Sequence, residues 1–239
     1  MRKIDEGYVN GIDKDKYLSV MARRYDTLLA NREYTLKTYT GKNDFDFIIA
    51  PTNFCHLIGL HKFYNPNSEF ECFKDKENLK KMLGLKLLKN GTIKYEMLEK
   101  ARNEKGEPIL GIEFINERIK GIEKLSKCLK DGDVYKFDPS KCEFYTHLKK
   151  GYIFRYLDNK VNKEYCLVFT QNDNPNDSRY YPTSFLVNSK GNERYEGYVR
   201  NQIKIEVHKI KSFHIKFNNI ETIRFNKSLE KNIFRGKER

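Results

Sequence analysis

The sequence predicts an α+β fold in which helices come first and a mainly antiparallel sheet of about four to five strands follows. Three observations carry that expectation. As far as about residue 130, apolar residues recur at three- and four-residue spacing. From Val134 onward the period changes to two. Short turn sequences rich in Asn, Asp and Gly then separate the extended runs.

Residues 14–30 set Leu18, Met21, Tyr25 and Leu28 on one face, which predicts an amphipathic helix. Two extended runs follow, Glu33–Thr40 and Phe45–Ala50, joined by the turn Gly41-Lys42-Asn43-Asp44. Pro51-Thr52-Asn53 starts a short apolar helix, FCHLIGLHKF. Helical patterns at about 75–89, 92–104 and 111–130 are punctuated by Gly91 and by Gly106-Glu107-Pro108, and Asp131-Gly132-Asp133 ends them. Tyr152–Leu157, Tyr165–Thr170 and Tyr181–Val187 are short, aromatic and β-branched, as strands are. Gln202–Phe217 alternates again, with Ile203, Ile205, Val207, Lys209, Lys211, Phe213, Ile215 and Phe217 on one parity. With no internal repeat or low-complexity linker, residues 1–225 read as a single domain and 226–239 as a basic, loosely held tail.

The 239 residues carry a formal charge of +13, and 38% are hydrophobic, with 16 Tyr and 16 Phe. That composition excludes a disordered chain. No apolar run is long enough to span a bilayer and the N-terminus has no apolar signal region, so the expected location is the cytosol, with no membrane partner. The five cysteines form no CxxC or His/Cys cluster, which favours reduced thiols over a zinc site. Residues 201–239 hold 10 basic and 4 acidic side chains, so +6 of the total charge lies there. Concentrated positive charge points to a nucleic-acid partner through counterion release, although composition drift in an AT-rich genome also inflates Lys.

The motifs of phosphate-loop, dinucleotide, zinc-protease and GxSxG enzymes are absent, as are paired acids with nuclease-metal spacing. Nucleic-acid cleavage by this chain is therefore expected to need no metal and no cofactor. It would use the substrate's own 2′-hydroxyl, a base, an acid and donors for the phosphorane oxygens, which selects RNA. His56, flanked by apolar residues with Gly59 a turn later, is the first candidate; a core-edge histidine bound to backbone is the alternative. His61 lies about 140° round an ideal helix from His56, so the rings converge only if the helix breaks. His61 and Lys62 are candidate phosphate contacts. Lys209 and Lys211 share parity with apolar neighbours, so either the chain turns at Lys209–Ser212 or these lysines line a cleft. Ser184, between aromatics, is a candidate hydroxyl donor, or simply packing polarity. Arg155, on an aromatic strand, completes the set of phosphate contacts.

The segment NFCHLIGLHKF, then Glu117-Arg118-Ile119, the Ser184-Phe185 pair and Tyr198-x-x-x-Gln202 before the lysine-bearing last strands occur in a recognisable order. That order, over residues 25–212, resembles the phage-associated Barnase–EndoU–colicin–RelE-like nuclease families, specifically the fourth, from mobile elements of Firmicutes. The resemblance implies helices before a four-stranded antiparallel sheet and an RNase activity, as a toxin or effector. It departs where relatives read Phe-Phe after the serine and this chain reads Phe185-Leu186. The expectation is a metal-independent endoribonuclease with His56 as acid or base. Lys209 and Arg118 stabilise the phosphorane, while Ser184 and Gln202 position the phosphate. Its partners would be RNA, free or on the ribosome, and a cognate antitoxin or inhibitor. The competing expectations are a non-catalytic RNA- or DNA-binding protein and a protein-binding inhibitor or defence component.

Overall fold

The last β segment decides the architecture. In the computed structural model, which describes residues 8–9, 12–76, 79, 82–103, 105–109, 112–171, 177–189 and 193–214, Glu206 alone separates two strands, β9 (Ile203–Ile205) and β10 (Val207–His214). These two strands sit at opposite ends of one eight-stranded sheet. A single residue therefore joins both edges, and the sheet must curl into a nearly closed barrel. The strand order is β10, β3 (Arg32–Thr38), β4 (Phe45–Ile49), β8 (Tyr180–Ser189), β7 (Lys163–Gln171), β6 (Gly151–Asp158), β5 (Asp133–Phe137), β9. Neighbours are antiparallel except β4 and β8, which run parallel and meet through Phe47 and Tyr180. Two short strands, β1 (Tyr8–Val9) and β2 (Ile12–Asp13), pair apart from this sheet.

The structure is α+β, but the expected sheet of four to five strands is overturned, and with it the four-stranded core that the resemblance implied. Three segments account for the difference. The hairpin β3–β4, embedded among helices in sequence, joins the main sheet; β5 begins directly after a helix; and 203–214 divides into strands on both edges. Period-two alternation identifies a strand but not its partners, which are set by long-range packing. The tail at 226–239 lies outside the described residues, as do Ile215 and Phe217.

Helices α1 (Lys14–Leu28), α2 (Asn53–Leu57), α3 (Met82–Lys89), α4 (Tyr95–Lys100), α5 (Ile112–Gly121) and α6 (Leu125–Asp131) precede β5–β8, and α7 (Glu193–Val199) precedes β9. Leu18, Met21 and Tyr25 of α1 are buried as their spacing predicts, whereas Leu28 is 59% exposed. Tyr17 donates to the carbonyl of Ile119 at 3.1 Å, tying α1 to α5. The main core, between these helices and the sheet, is aromatic: Phe45 stacks on Tyr152 at 3.7 Å, and Phe47 meets Phe154 and Phe169. Each such buried ring contributes about 2–3 kcal/mol. A smaller core on the opposite face collects Phe137, Ile153, Cys166, Val168 and Val199, with Leu148 and Cys142 packed against it.

The lysines of β10 do not follow their expected parity. The strand runs unbroken through Lys209–Ser212, and its register against β3 shifts between Val207 and Lys209. A bulge at His208 moves the inward set from odd to even positions. Val207 and Ile210 pack on the core, while Lys209, Lys211 and Phe213 are exposed. None of the five cysteines forms a disulfide, and burial pushes the Cys55 thiol up to about 12. Among the described residues no helix is long and apolar enough to cross a membrane.

Candidate functional site

Helix α2 sorts its residues by chemistry. Phe54, Cys55 and Leu57 are buried, and His56 is exposed at the rim of a cavity of about 530 Å³. Asn53 at the start of α2 accepts the Ala50 N–H at 2.7 Å through Oδ1, which leaves its amide nitrogen for the cavity it lines. Gly59 then breaks the helix: at φ +77° it adopts the left-handed conformation that glycine allows without cost. The chain re-enters as a short 3₁₀ turn, Leu60–Phe63, and the rings of His56 and His61 stack with centroids 5.0 Å apart. The break that convergence of the two histidines requires is thus present.

Gly59 also packs against α5. A side-chain carbon placed there would lie 3.7 Å from Arg118 Nη1 and 3.9 Å from Lys62 Cδ. Arg118 and Lys62 therefore converge beside Gly59. Burial, and then the neighbouring Arg118 charge, pull the Lys62 ammonium below its ordinary value.

The opposite wall of the cavity comes from β7 and β8 and contains Thr170, Gln171, Tyr181, Thr183 and Ser184. Consecutive strand residues ordinarily face opposite ways, yet Thr183 and Ser184 both line this space. The register explains it: Val168 opposes Ser184 and Phe169 opposes Pro182, so Thr183 is the extra residue of a β-bulge. Its hydroxyl donates to the Val168 carbonyl at 3.4 Å. Tyr181 donates to Asp177 Oδ2 at 2.5 Å, and Arg179 grips the same carboxylate at 2.7 Å, which holds the Asp177 carboxyl far below the usual range. Burial, followed by the Asp177 hydrogen bond, pushes Tyr181 up to about 12, so its hydroxyl keeps its proton at neutral pH.

The third wall is the segment before β6. It supplies His147, Leu148 and Lys149. His147 Nδ1 is 3.3 Å from the Tyr145 hydroxyl, and the two rings meet edge to face at 4.8 Å. Leu148 anchors the segment in the smaller core, and its N–H donates to Thr146 Oγ1 at 3.1 Å. Among the described residues lining the cavity there is no carboxylate. Among the described residues no group of three or more His, Cys, Asp or Glu side chains is arranged to hold a metal ion.

The structure therefore brings His56 and Ser184 into one cavity and stacks His61 on His56, while Lys62 and Arg118 lie near Gly59 and are not among the residues that line the cavity. It does not bring Lys209, Lys211, Arg155 or Gln202 there. Lys209 lies on β10, three strands from β8, roughly 14 Å at ~4.8 Å per strand, and lines a different groove; Lys211 is exposed on the same strand. Arg155 forms a bidentate pair with Glu164, Nε at 2.9 Å and Nη2 at 2.8 Å, and the Glu164 side chain is only 1% exposed. Its charge is spent inside the sheet. Gln202 accepts the Asp138 N–H at 2.8 Å and donates to the Asp138 carbonyl at 3.0 Å. It braces the start of the segment that ends in His147 rather than meeting a phosphate. The sequence reading missed His147, Lys149 and Thr183. Pro182 was the available signal for the bulge, because proline inside a paired strand marks one.

No family model, no curated protein and no solved structure matches this chain, so the functional reading rests on the geometry of the site.

Proposed function

We propose that this protein is a metal-independent endoribonuclease whose active site is the cavity between His56, His147 and Ser184. The observation that carries the reading is the arrival of two imidazoles, a lysine and neighbouring hydroxyls at one open cavity from three separate parts of the chain. In the reaction, the 2′-oxygen of the substrate attacks the adjacent phosphorus as the bond from phosphorus to the 5′-oxygen breaks. One imidazole takes the proton of the 2′-hydroxyl and the other gives a proton to the departing 5′-oxygen. The products are a 2′,3′-cyclic phosphate and a 5′-hydroxyl. Lys149 and Ser184 face the phosphorane oxygens, and Lys62 and Arg118, near Gly59, add positive charge. The resemblance to mobile-element nucleases extends the proposal to a toxin or effector role in the cytosol, with a cognate inhibitor.

The test is cleavage of a 5′-labelled single-stranded RNA in the presence of a chelator. The expected product ends in a cyclic phosphate, and a 2′-deoxy nucleotide at the cleaved position blocks the reaction. His56→Ala and His147→Ala each lower the rate by about 10²–10⁴-fold. RNA left intact with and without ribosomes overturns the catalytic reading. Salt-sensitive RNA binding without cleavage would then favour a binding protein on this fold.

A further inference from the structure

A groove of about 640 Å³ lies apart from the cavity of His56 and His147, at the seam where the barrel fails to close. Its walls are the two ends of the sheet: β10 on one side, β5 and β9 on the other, with the C-terminal ends of α1 and α6 beneath. The edge of β10 that faces away from β3, and the edge of β9 that faces away from β5, have no strand partner among the described residues. Both present backbone donors and acceptors, which is what an added strand pairs with.

The groove has an apolar floor and a basic rim. Leu29, Leu129, Val134, Ile205, Val207 and Ile210 supply apolar surface. Two of its acids already have partners: Asp133 pairs with Lys204 at 2.8 Å and Asp131 with Lys127 at 3.2 Å. Arg32, Lys130 and Lys209 remain against Glu206 alone, an excess of positive charge. Arg32 Nε is buried and has no hydrogen-bond partner among the described residues. A buried guanidinium donor without an acceptor marks the place where an occupant would supply one. Nucleic acid would satisfy the cations but would leave the apolar floor and the backbone edge unused.

We infer that the seam groove receives an extended segment of a partner protein, alternating apolar and acidic residues, which adds a strand to β10 and completes the barrel. Its apolar residues lie on the floor, its carboxylates meet Arg32, Lys130 and Lys209, and its backbone pairs with the free edge. This surface and the cavity of His56 are separate, so the inference stands whether or not the protein cleaves RNA.

The test uses the full chain with three fluorescent probes: the blocked heptapeptide EVEIEVE, its lysine counterpart KVKIKVK, and oligo(U). Binding is followed by anisotropy, and the site by backbone hydrogen exchange. The acidic peptide is expected to bind and to slow exchange within 207–214. The surface double variant Lys130→Glu/Lys209→Glu, which removes no core contact, should weaken it by about tenfold or more, as reversed rim charges do. Three results overturn the inference: no binding of the acidic peptide, equal binding of the basic one, or protection of 207–214 by oligo(U) instead. Loss of RNA cleavage with peptide binding intact would count only against the nuclease reading.

Discussion

The histidine cavity and the seam groove lie on the same sheet and are built in opposite ways. The cavity is made of side chains whose backbone is already satisfied: a helix broken at Gly59, a bulge at Thr183 and a loop anchored by Leu148 deliver imidazoles and hydroxyls to one space. The groove is made of backbone that has not been satisfied, the two edges left by a sheet that almost closes. A bulge acts in both places with different results. At Thr183 it turns an additional polar side chain into the cavity; at His208 it turns lysines out of the core. Local irregularity in a strand is thus what separates a side-chain site from a backbone docking edge.

The sharpest way to break this comparison is to remove an imidazole. His147→Ala should lower RNA cleavage by about 10²–10⁴-fold while leaving peptide binding at the seam unchanged, and Lys130→Glu should do the reverse. A joint loss in either variant, measured by gel cleavage and anisotropy, would show that the two regions are one site.

Next in size is a change that should weaken both together. Glu164 and Arg155 join β7 to β6 between the two regions. Glu164→Gln leaves a charged guanidinium without its buried counterion and should cost about 3 kcal/mol of stability, read as a lower urea midpoint. An unchanged midpoint would mean that water reaches the pair.

A smaller effect is expected at the helix break. Gly59→Ala places an L side chain at φ +77°, a left-handed conformation that costs it about 1–2 kcal/mol, so stability should fall by that amount. Cleavage should fall with it, because the His56–His61 stack depends on that turn, and seam binding should not.

The smallest effect concerns charge beside the histidines. Lys62 has a lowered folded pKa, so at alkaline pH just below the ordinary lysine value of 10.5 the unfolded chain binds more protons than the folded one. This side chain therefore contributes stability that increases as pH rises through that window. Lys62→Met should remove the increase, and inorganic phosphate should raise the melting temperature of the parent more than that of the variant. Equal phosphate shifts in the two proteins would place the anion elsewhere.

Parts of this were readable from residue order. His56 was legible as a candidate, but a core-edge histidine was equally open, and only the burial of Phe54, Cys55 and Leu57 turns it outward. Gly59 carried the break that brings His61 to it. Lys209 was misplaced because parity counts residues and a bulge inserts one; nothing local in Val207-His208-Lys209 announces it. Arg155 and Gln202 were misplaced for another reason. Each is polar and near the end of a strand, but their partners, Glu164 and the backbone of Asp138, are 9 and 64 residues away. His147 sits in an irregular segment with no period to read, and only its cavity identifies it.

By itself the sequence determined the core face of α1 at Leu18, Met21 and Tyr25, the hairpin β3–β4 and the extended runs of β6, β7 and β8, and it marked His56 and Gly59 as candidates. Those properties follow from local sterics, hydrophobic spacing and charge, all of which act within a few residues. Only the tertiary structure decided that the early hairpin joins the late strands, that Glu206 carries the chain from one edge of the sheet to the other, and that His147 and His56 line one cavity. Strand pairing and site assembly are set by contacts between distant residues, and the free energy of those contacts exists only once the whole core is packed.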